Sequence, residues 1–270
     1  MEFNRRWVEH ARDGQVMSAY LVTPPRVSHP LPAVIVIQEI WGPDLHIQEM
    51  AERFAMAGYA ALAPDLYSRG GRPEDLAPER IEAVKEFMNT VPPGAWGDQQ
   101  VLQQHLDRLP GNEGQKVGAT LGRLFGPRDT DAMLDDLVSW VNWLKDAAET
   151  RGMPVASTGY CMGGALSFAL ATRVPDLRAA LCYYGTAPAP ESMAAIQCPV
   201  YGFYGETDAR ITGQVPEVEQ AMKAHGKTFE PHVYQGAGHA FFNDSRASYH
   251  VDAARDAWAR TLDIFNRVLA

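Results

Sequence analysis

Three residues of the chain combine a reactive side chain with neighbours suited to nucleophilic catalysis, and each follows a short apolar run. Cys161 sits in Gly159-Tyr160-Cys161-Met162-Gly163-Gly164, between the apolar Val155-Ala156 and a helix-forming stretch from Ala165 to Ala171. Strand, sharp turn and helix with a thiol at the apex make a nucleophile elbow with cysteine where serine is usual. Glycines two residues to either side leave room for the strained turn. A helix starting there aims free N–H groups at the thiol, which lowers a cysteine pKa and offers donors to an oxyanion. Asp208 follows the run Val200–Tyr204 in Gly205-Glu206-Thr207-Asp208, and His239 follows Phe229–Tyr234 in Gly238-His239-Ala240-Phe241. An imidazole that takes the thiol proton, with a carboxylate that fixes its tautomer, completes the set for acyl transfer through a covalent intermediate.

Competing readings are weaker. No Gly-x-Ser-x-Gly occurs, and Gly118-Ala119-Thr120-Leu121-Gly122 has the spacing but no strand leading into it. Cys182 falls inside an apolar run and Cys198 precedes a proline, so both read as packing residues. Three cysteines and 8 scattered histidines show no metal-ligand spacing, which predicts a reduced protein with no disulfide, metal or other cofactor. The net charge of −9 argues against a nucleic-acid or anionic-membrane surface. No apolar run has secretory or membrane-spanning length. The expectation is a cytoplasmic monomer or homodimer acting on a small molecule.

The elements that must position these residues read as α/β. Asp13-Gly14 predicts a hairpin over Val8–Thr23. Ala33–Ile37 is a continuous β-branched run of the kind found in a buried parallel strand, ending at Gln38-Glu39-Ile40-Trp41-Gly42. The carboxyl end of such a strand is where open α/β sheets keep their ligand sites, which singles out Glu39. A helix over His46–Gly58 and a strand over Tyr59–Leu62 follow, closed by Pro64-Asp65-Leu66-Tyr67. After the elbow come strands at Ala179–Tyr184, Val200–Tyr204 and Phe229–Tyr234. Helices are predicted over Glu79–Met88, Val101–Leu109, Asp129–Thr150, Pro216–His225 and Arg246–Leu269. Val91–Gly97 breaks the pattern, and Gly111–Gly126 is glycine-rich. The whole reads as one domain, 1–270, with a cap or lid over about 70–128, since an irregular stretch that long inside an α/β domain is usually functional or loosely ordered.

Cysteine, aspartate and histidine in the order 161, 208, 239 match the α/β-hydrolase fold: a doubly wound, mostly parallel sheet with helices on both faces. Gln38-Glu39-Ile40-Trp41-Gly42, Pro64-Asp65-Leu66-Tyr67, the elbow, Tyr183-Tyr184-Gly185, Asp208 and Gly238-His239-Ala240-Phe241 together resemble the dienelactone hydrolase (carboxymethylenebutenolidase) family. In that family a Cys–His–Asp triad hydrolyses an enol-lactone formed during the degradation of chlorinated aromatics. The resemblance implies Cys161 as nucleophile, His239 as base and Asp208 as its orienter. It also implies Glu39 as the carboxylate that takes the thiol proton on substrate binding, and the Ile40 and Met162 amides as oxyanion hole. Family members hold the lactone carboxylate with arginines. One of them, four residues after the histidine, is Asn243 here, with Arg246 three further on. The other corresponds to Arg69, Arg72 or Arg80, of which Arg80 is taken as the candidate. The stretch around Pro92–Pro127 has no counterpart in the short bacterial enzymes. Trp41, Tyr67, Tyr160 and Tyr184 are expected to line the pocket.

The leading expectation is therefore a cofactor-free hydrolase of lactones or small esters. A thioesterase or general carboxylesterase would use the same site. A redox-sensing thiol or a non-catalytic binding protein on this fold are the alternatives from other classes. A binding module has no need of Cys161, Asp208, His239 and Glu39 all intact, and for a sensor no resolving cysteine is apparent.

Overall fold

In the computed structural model, residues 2–92, 96 and 98–270 are described; Pro93, Gly94, Ala95 and Gly97 of the predicted break lie outside them. Strands β1 (Asn4–Arg12) and β2 (Gln15–Thr23) open the chain. Asp13 and Gly14 join them with φ of 52° and 74°, the positive values that a two-residue hairpin turn matched to strand twist requires. Six more strands follow: β3 (Ala33–Ile37), β4 (Ala60–Pro64), β5 (Val155–Tyr160), β6 (Ala180–Tyr183), β7 (Val200–Gly205) and β8 (Phe229–Tyr234). The sheet runs β1-β2-β4-β3-β5-β6-β7-β8. The pairs β1–β2 and β2–β4 are antiparallel, and every later pair is parallel. Strands β3 to β6 are buried along their whole length, because both faces of the sheet are covered.

In chain order the helices are α1 (Leu45–Met56), α2 (Pro78–Thr90), α3 (Gln99–Leu106), α4 (Glu113–Phe125), α5 (Thr130–Asp146), α6 (Met162–Leu170), α7 (Ala209–Thr212), α8 (Val215–Ala224) and α9 (Val251–Val268). Side chains along β3 sort them by face. Ala33, Ile35 and Ile37 join a core with Leu137, Trp140 and Leu144 of α5, Leu166 of α6 and Met222 of α8. Val34 and Val36 point the other way, into a core with Met50 and Phe54 of α1 and Ala257 and Phe265 of α9. The architecture is the doubly wound α/β-hydrolase sheet. No helix among the described residues is long and apolar enough to cross a membrane.

Between β4 and α5 the chain builds a third core. Leu76, Ile81, Val84, Phe87, Val117, Leu121 and Leu124 pack together, and Trp41 and Tyr67 from the ends of the sheet join them. The glycine-rich stretch Gly111–Gly126, where no helix was predicted, contains the regular helix α4. Its Val117, Leu121 and Leu124 share one face, while Gly114 and Gly118 let α3 approach. A Cβ on Gly114 would collide with the Leu106 carbonyl, and one on Gly118 would touch the Leu106 methyl at 3.5 Å. Packing outweighs the ~1 kcal/mol that each glycine costs a helix. The terminal helix begins at Val251 rather than Arg246. Backbone turns Asn243–Arg246 and Arg246–Tyr249 and the bond from the His250 amide to the Phe241 carbonyl hold the intervening residues as a loop.

Candidate active site

Cys161 occupies the turn between β5 and α6 with φ 54° and ψ −114°, a conformation that a residue with a Cβ rarely adopts. The Cys161 amide donates to the Tyr183 carbonyl, and the Ala165 amide donates to the Cys161 carbonyl, at 3.0 and 3.2 Å. The turn closes so tightly that a Cβ on Gly159 would strike the Gly163 carbonyl, and one on Gly163 would strike the carbonyls of Ile37 and Gln38. Among the described residues, five other than glycine have positive φ: Asp13, Arg26, Cys161, Tyr184 and Ala240. The last three are the elbow residue, a residue touching Glu39, and the residue after His239, so strain gathers where β5, β6 and β8 end.

His239 Nδ1 and Asp208 Oδ2 are 2.6 Å apart, and the Asp208 side chain is 11% exposed against 39% for the imidazole. A shielded carboxylate thus fixes one ring nitrogen and leaves the other towards the open side. The Tyr184 ring packs edge-on against the imidazole, with centroids 5.2 Å apart. Its hydroxyl donates to Glu39 Oε1 at 3.3 Å, while Asn243 Nδ2 donates to Glu39 Oε2 at 2.9 Å. Glu39 is buried, and burial followed by the charge of Asp44 pushes its pKa up to about 7, against the hydrogen bonds from Asn243 and Tyr184 and the charge of Arg246. Cys161 is pushed up to about 12, by burial first and then by the Glu39 charge; the Met162 amide and the Arg128 charge pull the other way. The expectation that the helix terminus would lower the thiol pKa is therefore corrected: desolvation outweighs the amide donors, and the resting group is a thiol.

The Met162 amide, first in α6, points at the sulfur. Among the described residues the Ile40 amide makes no hydrogen bond, while its carbonyl accepts from the Tyr67 hydroxyl at 2.7 Å. The Ile40 amide is thus free, while that of Met162 is directed at the thiol. Trp41 lies between two cations, Arg246 4.9 Å and Lys85 5.8 Å from its ring centre. Tyr67, also buried, has its hydroxyl pushed up to about 12 by burial, with Arg128 lowering it.

Two expected pocket residues lie elsewhere. Tyr160 is fully buried among His46, Tyr183, Tyr184 and Phe242 in the α1–α9 core: side chains alternate along β5, and its phase turns this one into the core. Arg80 is engaged with the Lys116 carbonyl at 2.6 Å, tying α2 to α4. Arg69 pairs with Asp136 at 3.1 Å, and Arg72 with Asp65. The guanidinium whose charge reaches the thiol is that of Arg128, which sequence reasoning missed. Its Nε is buried and has no partner among the described residues. With Met162, Ala165 and Thr186 it lines a cavity of about 290 Å³ beside the elbow. One signal was present: Arg128 immediately precedes Asp129, the cap of α5, where a cation opposes the helix dipole and breaks a local rule. Among the described residues no cluster of three or more His, Cys, Asp or Glu is placed to hold a metal ion.

Comparison with known proteins bears on the family and the fold. The model of the dienelactone hydrolase family matches residues 17–269. A candidate carboxymethylenebutenolidase of Saccharolobus solfataricus is 37% identical over 258 residues, spanning 95% of this chain and 96% of that protein. One from Yersinia pestis is 32% identical over 265 residues, spanning 94% and 85%. The crystal structure of a candidate dienelactone hydrolase from Klebsiella pneumoniae superposes with a TM-score of 0.70 at 28% identity, covering 97% of this chain and 99% of that one.

Proposed function

Because this chain belongs to the dienelactone hydrolase family and is a hydrolase of lactones or esters, we propose that it opens a small lactone through an acyl-cysteine intermediate on Cys161. The observation that carries the reading is a buried thiol that shares its surroundings with a near-neutral carboxylate and a histidine–aspartate pair. In the resting site Cys161 keeps its proton, which suppresses adventitious oxidation and alkylation. Once substrate is seated, Glu39 accepts the thiol proton and sulfur attacks the carbonyl carbon. The carbonyl electron pair moves to oxygen, which the Ile40 and Met162 amides receive. Collapse expels the ring oxygen and leaves a thioester. His239, oriented by Asp208, then takes a proton from water as the hydroxide adds to the thioester. The departing thiolate recovers its proton from Glu39, and the imidazolium returns its own to the ring-opened oxygen. An enol-lactone suits this order, since its leaving oxygen is a delocalised enolate that tolerates waiting for that proton.

Arg128 marks where an anionic substituent is held: its side chain lines the cavity beside Met162 and its charge reaches the thiol, so a carboxylate there would gain a charge-assisted partner. The helices of 74–125, through Trp41 and Tyr67, cover the same end of the sheet, and we read them as a cap on the single unit 1–270. The test is intact-mass spectrometry during turnover of dienelactone, other enol-lactones and activated short-chain esters. Wild type is expected to carry an acyl mass that Cys161→Ala lacks, with product released. Turnover with no adduct in any trapping condition would overturn the covalent route. Arg128→Met should raise KM for the carboxylate-bearing lactone at least ~10-fold more than for a neutral ester, the worth of one charge-assisted contact; equal effects on both would remove Arg128 from substrate binding.

A further inference from the structure

Asp44 stands at the junction of the sheet and the inserted helices. Its Oδ1 accepts the Ile47 amide at 3.2 Å as the cap of α1, and its Oδ2 accepts from Lys85 Nζ at 2.7 Å. Lys85 belongs to α2, so this ion pair bridges the insertion and the loop that follows β3. The side chains are 8% and 16% exposed, which spares the pair most of the screening that makes surface ion pairs weak. The same ammonium lies 5.8 Å from the centre of the Trp41 ring, and its other partner is Glu82, one turn before it on α2. Asp44 follows Glu39 by five residues in the same loop, and its charge acts on the Glu39 carboxyl. The groups that face Glu39 come from four segments: Asp44 from its own loop, Arg246 and Asn243 from the loop after β8, Tyr184 from the end of β6, and Tyr160 and Cys161 from the end of β5. Of these Asp44 is the anion, and Lys85 is the cation placed to cancel its field.

We propose that Asp44 and Lys85 form a positioning pair through which the seating of α2 sets the charge state of Glu39. The proposal rests on the reading of Glu39 as acceptor of the thiol proton. An unpaired Asp44 carboxylate repels a second negative charge on Glu39. With α2 seated, the ammonium offsets that repulsion, so Glu39 ionises at lower pH and is ready to take a proton from Cys161. With α2 displaced, Glu39 holds its proton and the thiol keeps its own. The cap then does more than cover the site: its position decides whether the nucleophile can be activated. Neither residue touches substrate in this scheme; both act through Glu39.

The test follows Glu39 directly by its carboxyl ¹³C signal in glutamate-labelled protein, assigned by its absence in Glu39→Gln, beside the pH profile of kcat/KM. Lys85→Met should raise the Glu39 midpoint by roughly 0.5–1 unit, the scale of one unmatched charge acting through a partly screened interior. The acid limb of the rate profile should move with it. Lys85→Arg should restore both. Asp44→Asn keeps the capping oxygen and should lower the midpoint, and the double variant, which lacks both charges, should fall between the two single variants. Midpoints unmoved by Lys85→Met and by Asp44→Asn would overturn the proposal. The midpoint is read without turnover, so a midpoint that moves while the rate profile does not would uphold the pair and instead overturn the role of Glu39 in hydrolysis. Should Lys85→Met fail to fold, Asp44→Asn decides the matter alone: a falling midpoint sustains the pair and a fixed one ends it.

Discussion

At the scale of single residues, the site is a set of local costs held in place by the surrounding fold. Cys161 keeps a positive φ of 54° with ψ −114°, a region natural to glycine and costing other residues on the order of 1–3 kcal/mol. Glycine ordinarily destabilises a folded position relative to alanine by about 0.5–1 kcal/mol through chain entropy. Here the order should invert: Cys161→Gly should be more stable than Cys161→Ala by ~1 kcal/mol or more, measured by urea denaturation, with both variants inactive. Alanine equal to or better than glycine would show that the elbow is unstrained. Glu39 carries a second cost. Its pKa rises from the ordinary 4.5 to about 7 because the folded protein disfavours the charge, so the folded state holds a proton that the unfolded chain has released. Stability from this group is therefore complete below about pH 4.5 and is lost as pH rises through 7, a loss of about 3 kcal/mol. Glu39→Gln should melt above wild type at pH 8, with the gap closing as pH falls to 5, while its hydrolysis is impaired. A variant that melts lower at pH 8 would mean that Glu39 is held ionised by its partners.

At the scale of elements, what could be read in the chain depended on whether the signal was local. The β-branched run Ala33–Ile37 and the dipeptide Asp13-Gly14 carry their meaning in their own residue types, and both elements formed where expected. The loops of Cys161, Asp208 and His239 could be placed at strand ends because each follows a local apolar run, and the structure brings Asp208 and His239 to 2.6 Å. Helix α4 was obscured by Gly114, Gly118 and Gly122; the role of the first two appears only when Leu106 of α3 is packed against them. The burial of Tyr160 was equally hidden, since the phase of β5 against its neighbours decides the face. Arg128 lies outside the motif altogether and reaches the site because the chain folds back between α4 and α5. The α2–α4 core rests on a few fully buried side chains, with Leu124 at its centre. Leu124→Ala should cost about 2–5 kcal/mol and act locally: amides of α2 and α4 should exchange faster while those of β5 and β6 keep their protection. Equal acceleration in both regions would mean that the insertion opens only together with the sheet.

At the scale of the whole molecule, the site stands where the sheet changes direction. The chain leaves β3 through α1 on one face and builds towards β4, then leaves β5 through α6 on the other face and builds towards β6. Between β3 and β5 the loops part, and that crevice is where an open α/β sheet binds ligands. Glu39 and Ile40 come from the β3 side and Cys161 and Met162 from the β5 side, so in the proposed mechanism reactivity depends on how closely α6 presses against β3. Gly163 sets that distance, because its α-carbon abuts the Ile37 and Gln38 carbonyls. Gly163→Ala should push the start of α6 outward, and a displacement near 1 Å at reacting groups costs on the order of 10²-fold in rate. Gly152, in the loop before β5, provides the contrast: its φ is 75° and a Cβ there would meet nothing within 4 Å. Gly152→Ala should lose about 1 kcal/mol from backbone strain with kcat unchanged. If the two substitutions lowered kcat alike, or if Gly163→Ala left it intact, the spacing across the switch point would not govern the chemistry. A large loss confined to Gly163→Ala would make the same close contact responsible for both the packing of the sheet centre and the placement of the nucleophile.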